Sequence, residues 1–427
     1  MKFIFQNATI VSGEGRRTGD VFVNNGLISE PFEDVTAQRI DARGHLLLPG
    51  AIDGHVHFRT PGDGQKETWE TGTAAAAFGG VTTVLDMPNT TPATMTVRAL
   101  EAKRELIKGK SYVNYGFNFG AAANASELEA VEGVPAFKVY MGSSTGDLLV
   151  DEPSVWEKIF RMAKAKNIPV IVHAENEARI RQRMKEFQGH DEAAAHAHIR
   201  DCGCAVLAVE EAVALREKVG NKLHIAHLSC KEELDVVRAH RHRDLTCEVT
   251  PHHLFFSMDD MQDSFLKMNP PLRHAEDLRA LWEGLRDGSV TCVATDHAPH
   301  TKEEKQRVHW DAPSGVPGVE FMLPLLLNEV QTNILSVEDV VRLTAEGPAR
   351  VFGLHDRGRI APGMRADLIL VDMDETRTID QDLIRSKCGW SPYEGMTLKG
   401  WPVLTMVNGH IVVEGTSLVD SPVGEEI

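Results

Sequence analysis

From Leu46 onward, short apolar segments alternate with longer amphipathic ones, and this alternation constrains the fold more than any other feature. Gly80-Val-Thr-Thr-Val-Leu, Ala136-Phe-Lys-Val-Tyr, Ile168-Pro-Val-Ile-Val-His, Leu223-His-Ile-Ala-His and Val290-Thr-Cys-Val-Ala-Thr read as buried strands. Between them, stretches such as 154–166 and 204–219 carry helical periodicity. Parallel neighbours need a crossover of a dozen or more residues, so β and α alternating over roughly 300 residues predicts a parallel sheet. The length suits a (β/α)8 TIM-type barrel with insertions. A doubly wound open sheet is the competing architecture. It requires a Gly-rich phosphate loop opening an early helix, and Gly62-Asp-Gly64 lies in a long loop without that spacing.

The two ends of the chain differ in style from its middle. Residues 1–50 read as short strands with Gly and Asn turns, and Asn25-Gly26 is a hairpin signal. Strand-and-turn patterning returns after Phe352, in segments 358–372 and 405–413. The expected organisation is a β-sandwich built from residues 1–51 and 357–427 beside a barrel of residues 52–356.

The 427 residues include 45 Lys and Arg against 62 Asp and Glu, a formal charge of −17 without any block of like charges. Nucleic acid and anionic membrane are therefore disfavoured as partners, and an anionic substrate must be drawn in by a few local cations. The longest apolar runs, such as 321–327, fall far short of the ~20 residues of a membrane span. The N-terminal stretch has no cationic segment followed by a long apolar one, and the six cysteines are widely spread, so a cytoplasmic protein with reduced thiols is expected.

Three His-x-His doublets occur. His55 and His57 follow Leu46-Leu-Leu-Pro-Gly-Ala-Ile at a strand end, where residues i and i+2 point to one side and can share a metal. His196/His198 and His240/His242 lie in helical or loop context, where i and i+2 diverge by about 200°; these are expected at the surface. The run His196-x-His198-x3-Cys202-x-Cys204 superficially resembles a zinc knuckle, but paired ligands of structural zinc sites are usually spaced more widely. His173, His227 and Asp296 each end an apolar strand and would project at one barrel mouth. Any one of them could simply satisfy buried hydrogen bonds. Together with His55 and His57 they form a His/Asp set suited to zinc or a similar metal. Lys138 sits in an apolar strand, so it either pairs with a carboxylate or is modified; a lysine carbamylated by CO2 becomes a bridging oxygen ligand.

His55-Val-His57-Phe-Arg59, Met87-Pro-Asn89-Thr90, Lys138, His173-Ala-Glu175-Asn, His227-Leu-Ser, Asn269-Pro-Pro-Leu-Arg273 and Thr295-Asp296-His-Ala-Pro-His300 together resemble the amidohydrolase superfamily and, within it, the dihydroorotases. The similarity runs almost from end to end. It implies a barrel with a binuclear metal centre, usually zinc, that interconverts dihydroorotate and N-carbamoyl-aspartate in pyrimidine synthesis. It also implies that His55, His57 and Asp296 bind the more buried metal, that His173 and His227 bind the second, and that carbamylated Lys138 bridges them. Asp296 would also act as general acid and base. Arg59 and Asn89, joined by Asn269 or Arg273 and by His300, match positions that hold the substrate carboxylate, and the loop 313–320 resembles one that contacts the pyrimidine ring. A homodimer is implied as well.

Arg59 offers a planar fork for a carboxylate that hydantoins and dihydropyrimidines lack. Its alternative role is to pair with an acid such as Asp63 or Glu67. Thr60 departs from the family pattern, which often has Glu there, and Asp147 is a minor alternative bridge. Two other readings remain: an allantoinase or dihydropyrimidinase/hydantoinase-type cyclic amidase, and a silent scaffold for a partner such as a carbamoyltransferase.

Overall fold

Gly50 marks the point where the chain passes from one structure into another. A Cβ there would sit 2.0 Å from Thr82 Oγ1, so only glycine fits where the strand Leu46–Pro49 of the outer sheet gives way to Ala51–Val56, the first barrel strand. The reading of Leu46 to Ile52 as one run is thus corrected to two strands in two sheets. The computed structural model describes residues 1–122, 124–144, 148–190 and 194–427.

The barrel strands follow in parallel order. Ala51–Val56 pairs with Val81–Asp86, and this with Asn114–Phe117. The third strand resumes at Phe119–Gly120, which pairs with Phe137–Tyr140; Val170–His173, Leu223–Ile225, Leu245–Val249 and Cys292–Val293 then follow. Asn118 bridges the interruption: its N–H donates to Asp86 O, while Phe119 N–H donates to Ala136 O. The ring closes where Val56 pairs with His297 and His57 N–H donates to His297 O at 2.8 Å. Every residue of Ala51–Val56, Val81–Asp86, Phe137–Tyr140 and Val170–His173 is buried. Helices cover one face and core side chains the other, which explains the continuous apolar runs.

The helices begin and end where local chemistry dictates. Asp201 caps Cys202–Val219 by accepting from Cys204 N–H at 3.1 Å, and Gly220 ends it with φ 72°. Pro153–Lys166 starts on proline and stops at Asn167, φ 59°. Both lie within two residues of the periodic stretches in the sequence. Among the described residues no helix is long and apolar enough to cross a membrane.

The two chain ends form one β-sandwich whose nine strands belong to a single hydrogen-bonded sheet. Leu46–Pro49 is the seam: it pairs in parallel with Lys2–Ser12 and antiparallel with Leu368–Thr378. Phe3, Phe5, Val23, Leu47, Leu368 and Met406 bury a core separate from the barrel's. Asn25-Gly26 makes the expected turn, with φ of 50° and 82°. The last residues return to the barrel, where Tyr115 N–H donates to Glu425 O and Ile427 N–H to Tyr115 O, both at 3.0 Å.

Candidate metal centre and substrate cleft

Strand geometry brings six of the ionisable side chains to one mouth. His55 lies in the first barrel strand and His57 just past it. Lys138 lies in the fourth, His173 ends the fifth, and His227 and Asp296 follow the sixth and eighth. All six are buried. His227 and Asp296 take φ of 38° and 47°, and Arg59 takes 57°, so three site residues sit in the left-handed region. Non-glycine residues there store strain that the surrounding structure must hold, a recurrent property of functional sites.

Asp296 Oδ1 lies 2.8 Å from His57 Nε2 and 3.2 Å from His55 Nε2, and the three side chains place ligand atoms within 4.8 Å of one another. His173 Nδ1 and His227 Nε2 face each other at 2.9 Å. The His55 ring links the two groups, with centroids 5.3 Å from His57 and 5.4 Å from His227.

Outer partners orient the rings. His55 Nδ1 meets Glu248 Oε1 at 2.5 Å, His57 Nδ1 meets Asn89 Oδ1 at 2.5 Å, and His173 Nε2 meets Glu175 Oε2 at 2.9 Å. Because each partner is an oxygen acceptor, the hydrogen-bond network assigns the proton to that far nitrogen and leaves the inward nitrogen a lone pair. Glu175 is itself held by Arg200. Burial lowers the pKa of His55 and of His173, and burial together with His173 pushes His227 well below its ordinary value. A lowered pKa favours the neutral imidazole, the form a metal requires. Burial pushes Asp296 upward, but His55 and His57 outweigh it and hold the carboxyl well below the usual range.

Lys138 Nζ is buried without a hydrogen-bond partner, 5.1 Å from the Tyr140 ring centroid, and burial lowers its pKa to about 8. No carboxylate pairs with it among the described residues. An orphaned amine beside five candidate ligands fits a modified, metal-bridging lysine. Asp147 lies outside the described residues.

Arg59 and Asn89 line a cleft of about 310 Å³ with Asp63, Lys66, Thr90 and Leu148. Arg59 Nε donates to Pro299 O at 3.2 Å, and Nη2 lies 3.1 Å from His300 Nε2. Asp63 pairs instead with Lys66, and Glu67 accepts from Ser386 and Thr71, so neither is ion-paired with Arg59, although Asp63 lies close enough to act on its charge. Thr60 Oγ1 turns back to Phe58 O. Asn269 and Arg273 are not gathered into this cleft. Asn269 Oδ1 accepts from His196 Nε2 at 2.8 Å, while Arg273 donates to Ser229 Oγ and Arg200 O. In the 313–320 loop, Ser314 O lies 3.1 Å from His300 Nε2.

The surface expectation for the other His doublets needs correction at one position. His196 is buried and reaches Met268 O as well as Asn269, because its helix packs inward on the 268–270 loop; His198 is exposed against Phe187. His240 and His242 are surface residues, as expected. Glu248 escaped the sequence reading, although an acid inside the apolar strand Leu245–Val249 is the same signal that singled out Lys138. His252, buried with neither ring nitrogen hydrogen-bonded, was also missed.

The chain matches the amidohydrolase family over residues 46–412. It is 42% identical over 400 residues to a dihydroorotase of Halobacterium salinarum, covering 93% of this chain and 92% of the relative. It is 38% identical over 426 residues to a dihydroorotase of Methanosarcina acetivorans, covering 95% and 91%. Among solved structures, an L-hydantoinase (dihydropyrimidinase) from Arthrobacter aurescens superposes with a TM-score of 0.95 at 31% identity, covering 99% of this chain and 98% of that one. With the family matched over most of its length and a mouth lined by inward-facing imidazoles, an aspartate and a buried lysine, this chain belongs to the amidohydrolase family.

Proposed function

We propose that this protein is a dihydroorotase, catalysing reversible hydrolysis of the cyclic amide of dihydroorotate to N-carbamoyl-aspartate. The observation that carries this reading is Arg59: a buried guanidinium that forms no ion pair among the described residues, lining a cleft beside the ligand cluster in a chain of net charge −17. A substrate carboxylate supplies a direct partner for the guanidinium. The dihydroorotase relatives at 42% and 38% identity support the same substrate.

In this reading His55, His57 and Asp296 would hold one divalent cation, His173 and His227 would hold a second, and carbamylated Lys138 would serve both; a set of imidazoles and carboxylate oxygens suits zinc. Bound there, the cations would acidify water from a pKa of about 15.7 toward ~7 and polarise the scissile carbonyl. The lowered pKa of Lys138 favours the neutral amine that attacks CO2, forming the N–C bond and releasing a proton.

The chain's own groups then divide the work. Arg59 and the Asn89 side chain receive the substrate carboxylate, with His300 held beside Arg59. This anchoring turns remote binding energy into alignment of the ring amide. Asp296, the carboxylate facing both His55 and His57, takes the proton of the attacking water and returns it to the departing ring nitrogen. Ring closure runs the same transfers backwards. The 313–320 loop borders the pyrimidine ring, and His300, tied to Arg59 and Ser314, couples that loop to the carboxylate anchor.

A hydantoinase-type activity is the second reading, favoured by the superposition on L-hydantoinase. The catalytic groups would be unchanged; only the carboxylate anchor separates the two. Occupied ligand positions speak against a silent scaffold. The same reading puts the chain in a reducing cytoplasm as a homodimer, which light scattering on the purified protein tests.

Arg59→Ala decides the substrate. Losing two charge-assisted hydrogen bonds at about 1.5–3 kcal/mol each lowers kcat/KM for dihydroorotate by about 10²–10⁴. An uncharged dihydropyrimidine should lose only a few-fold. Equal losses on both substrates would replace the dihydroorotase assignment with the hydantoinase one.

A further inference from the structure

The run from His196 to Cys204 contributes to chemistry in an unexpected way. Its members separate: His196 turns to Asn269, and Cys204 Sγ to Ile199 O. Cys202 instead meets Cys230, which lies on a different element. Cys202 opens the helix Cys202–Val219, and Cys230 caps the helix Lys231–Ala239, whose first turn carries Glu232. Sγ of Cys202, Sγ of Cys230 and a carboxylate oxygen of Glu232 lie within 4.8 Å of one another. Both thiols are free.

We propose that Cys202, Cys230 and Glu232 form a thiophilic divalent-cation site of the zinc class, separate from the barrel-mouth centre.

The dimensions suit it. Two atoms each about 2.3 Å from a cation stand at most about 4.6 Å apart, so a bound ion needs only a modest inward turn of the ligands. Cys202 is half-buried and Glu232 exposed, so both can make that turn, while the buried Cys230 is the fixed point. Two sulfurs and one oxygen leave a fourth position for water, which the exposed side of the site admits.

The surroundings of the two thiols act in both directions. Both sulfurs stand at helix N-termini, where partial positive charge stabilises thiolates. Arg273, donating to Ser229 Oγ, adds a full positive charge next to Cys230. Against them, the facing Cys202 thiol, burial and the Glu233 carboxylate raise the Cys230 pKa well above its ordinary value. Binding therefore displaces both thiol protons into solvent as the two metal–sulfur bonds form.

The site would tie two helices across the loop that carries His227. Ser229 N–H and Oγ and Cys230 N–H all hold on to Glu233 Oε2, so this turn is already rigid on one side. A cation on the other side completes the clamp. The catalytic cluster contains no sulfur ligand, which makes the two centres spectroscopically distinct.

The test is cadmium titration of the full-length holoenzyme, read by the ultraviolet sulfur-to-cadmium charge-transfer band. The band should rise to one equivalent per chain. It should be lost in Cys202→Ser and in Cys230→Ser and weakened in Glu232→Gln. Cys202 and Glu232 reach the surface, so those two variants should fold, and circular dichroism together with unchanged dihydroorotate turnover verifies it. Total metal per chain should fall by one in Cys202→Ser. Absence of a band overturns the proposal, as does a band that survives loss of either cysteine, or a Cys202–Cys230 disulfide that forms in air and is indifferent to cadmium.

Discussion

Glu248 provides the sharpest test of how the site is held. Its side chain is 1% exposed, and both oxygens are in use: Oε1 faces His55 Nδ1 at 2.5 Å and His227 N–H at 3.3 Å, and Oε2 faces His224 Nε2 at 2.9 Å. Glu248→Gln keeps the shape but removes the charge. The carbonyl oxygen stays on the His55 side, where both neighbours are donors, and the new NH2 faces His224. That ring accommodates it by changing tautomer, because its Nδ1 partner, the Thr246 hydroxyl at 2.9 Å, can donate or accept. The fold should therefore persist. What is lost is the charge assistance on the His55 bond: a hydrogen bond of about 1.5–3 kcal/mol becomes one of about 0.5–1.5 kcal/mol. A difference of roughly 1–1.5 kcal/mol corresponds to about 5–15-fold weaker cation binding, at the lower edge of the 10–100-fold typical when an outer partner of a metal ligand is removed. Competition against a chromophoric chelator gives the affinity, and the urea midpoint shows whether the fold survives. Activity should return when excess zinc is supplied. Unaltered affinity in a properly folded Glu248→Gln would refute the view that this carboxylate tunes His55.

Three further outcomes follow from other parts of the structure. Asp296→Asn should retain the fold and most metal while hydrolysis of dihydroorotate falls by about 10²–10⁴; metal content and turnover on the same preparation check this, and normal turnover would exclude the proton-transfer role. Burial raises the Glu320 carboxyl from 4.5 to about 8, although Arg385 N–H donates to it. The folded state then binds the extra proton, so this group's contribution is full below pH 4.5 and is lost as pH rises through about 8. Melting curves across that window should be flatter for Glu320→Gln than for the parent chain, and parallel curves would contradict the assignment. Finally, a Cβ at Gly54 would stand 2.5 Å from Phe352 Cε2 and 2.8 Å from Cζ. Gly54→Ala should cost about 1–3 kcal/mol in urea unfolding and disturb the strand that carries His55. Adding Phe352→Leu should recover part of the loss; an unmoved midpoint in the single variant would show that the ring yields freely.

The barrel was legible because a residue that must face a polar mouth ends each apolar run, and period-two geometry puts His55 and His57 on one side. Both doublet members meet Asp296 as that geometry requires. Partnerships were not legible. Glu248 is 193 residues from His55 and Asn89 is 32 from His57, and only closure of the barrel brings them together. Asn89 illustrates the cost of reading roles by motif alone: besides lining the cleft, it orients His57, so one side chain joins the cleft to the histidine cluster. The partners of Arg273 were hidden for the converse reason. Nothing local indicates that an arginine in a Pro-Pro-Leu-Arg segment will turn to Ser229 and Arg200 and leave the cleft to Arg59.

Backbone strain was hidden as well. Left-handed conformations at Arg59, His227 and Asp296 carry no glycine to announce them. The proposed reaction uses each of these side chains, so the position cannot be given to glycine, and the surrounding hydrogen bonds must hold the strained backbone. Asp53 is placed to do this for the Asp296 turn: its carboxylate accepts from Thr295 N–H at 3.0 Å, Thr295 Oγ1 at 2.5 Å and His55 N–H at 3.2 Å. That one buried acid joins the backbones of the first and last barrel strands at the residues bearing His55 and Asp296. Since the His55 and Asp296 backbones depend on the same junction, the relative position of the two side chains is set by the closure of the barrel itself, with Asp53 buried at its foot.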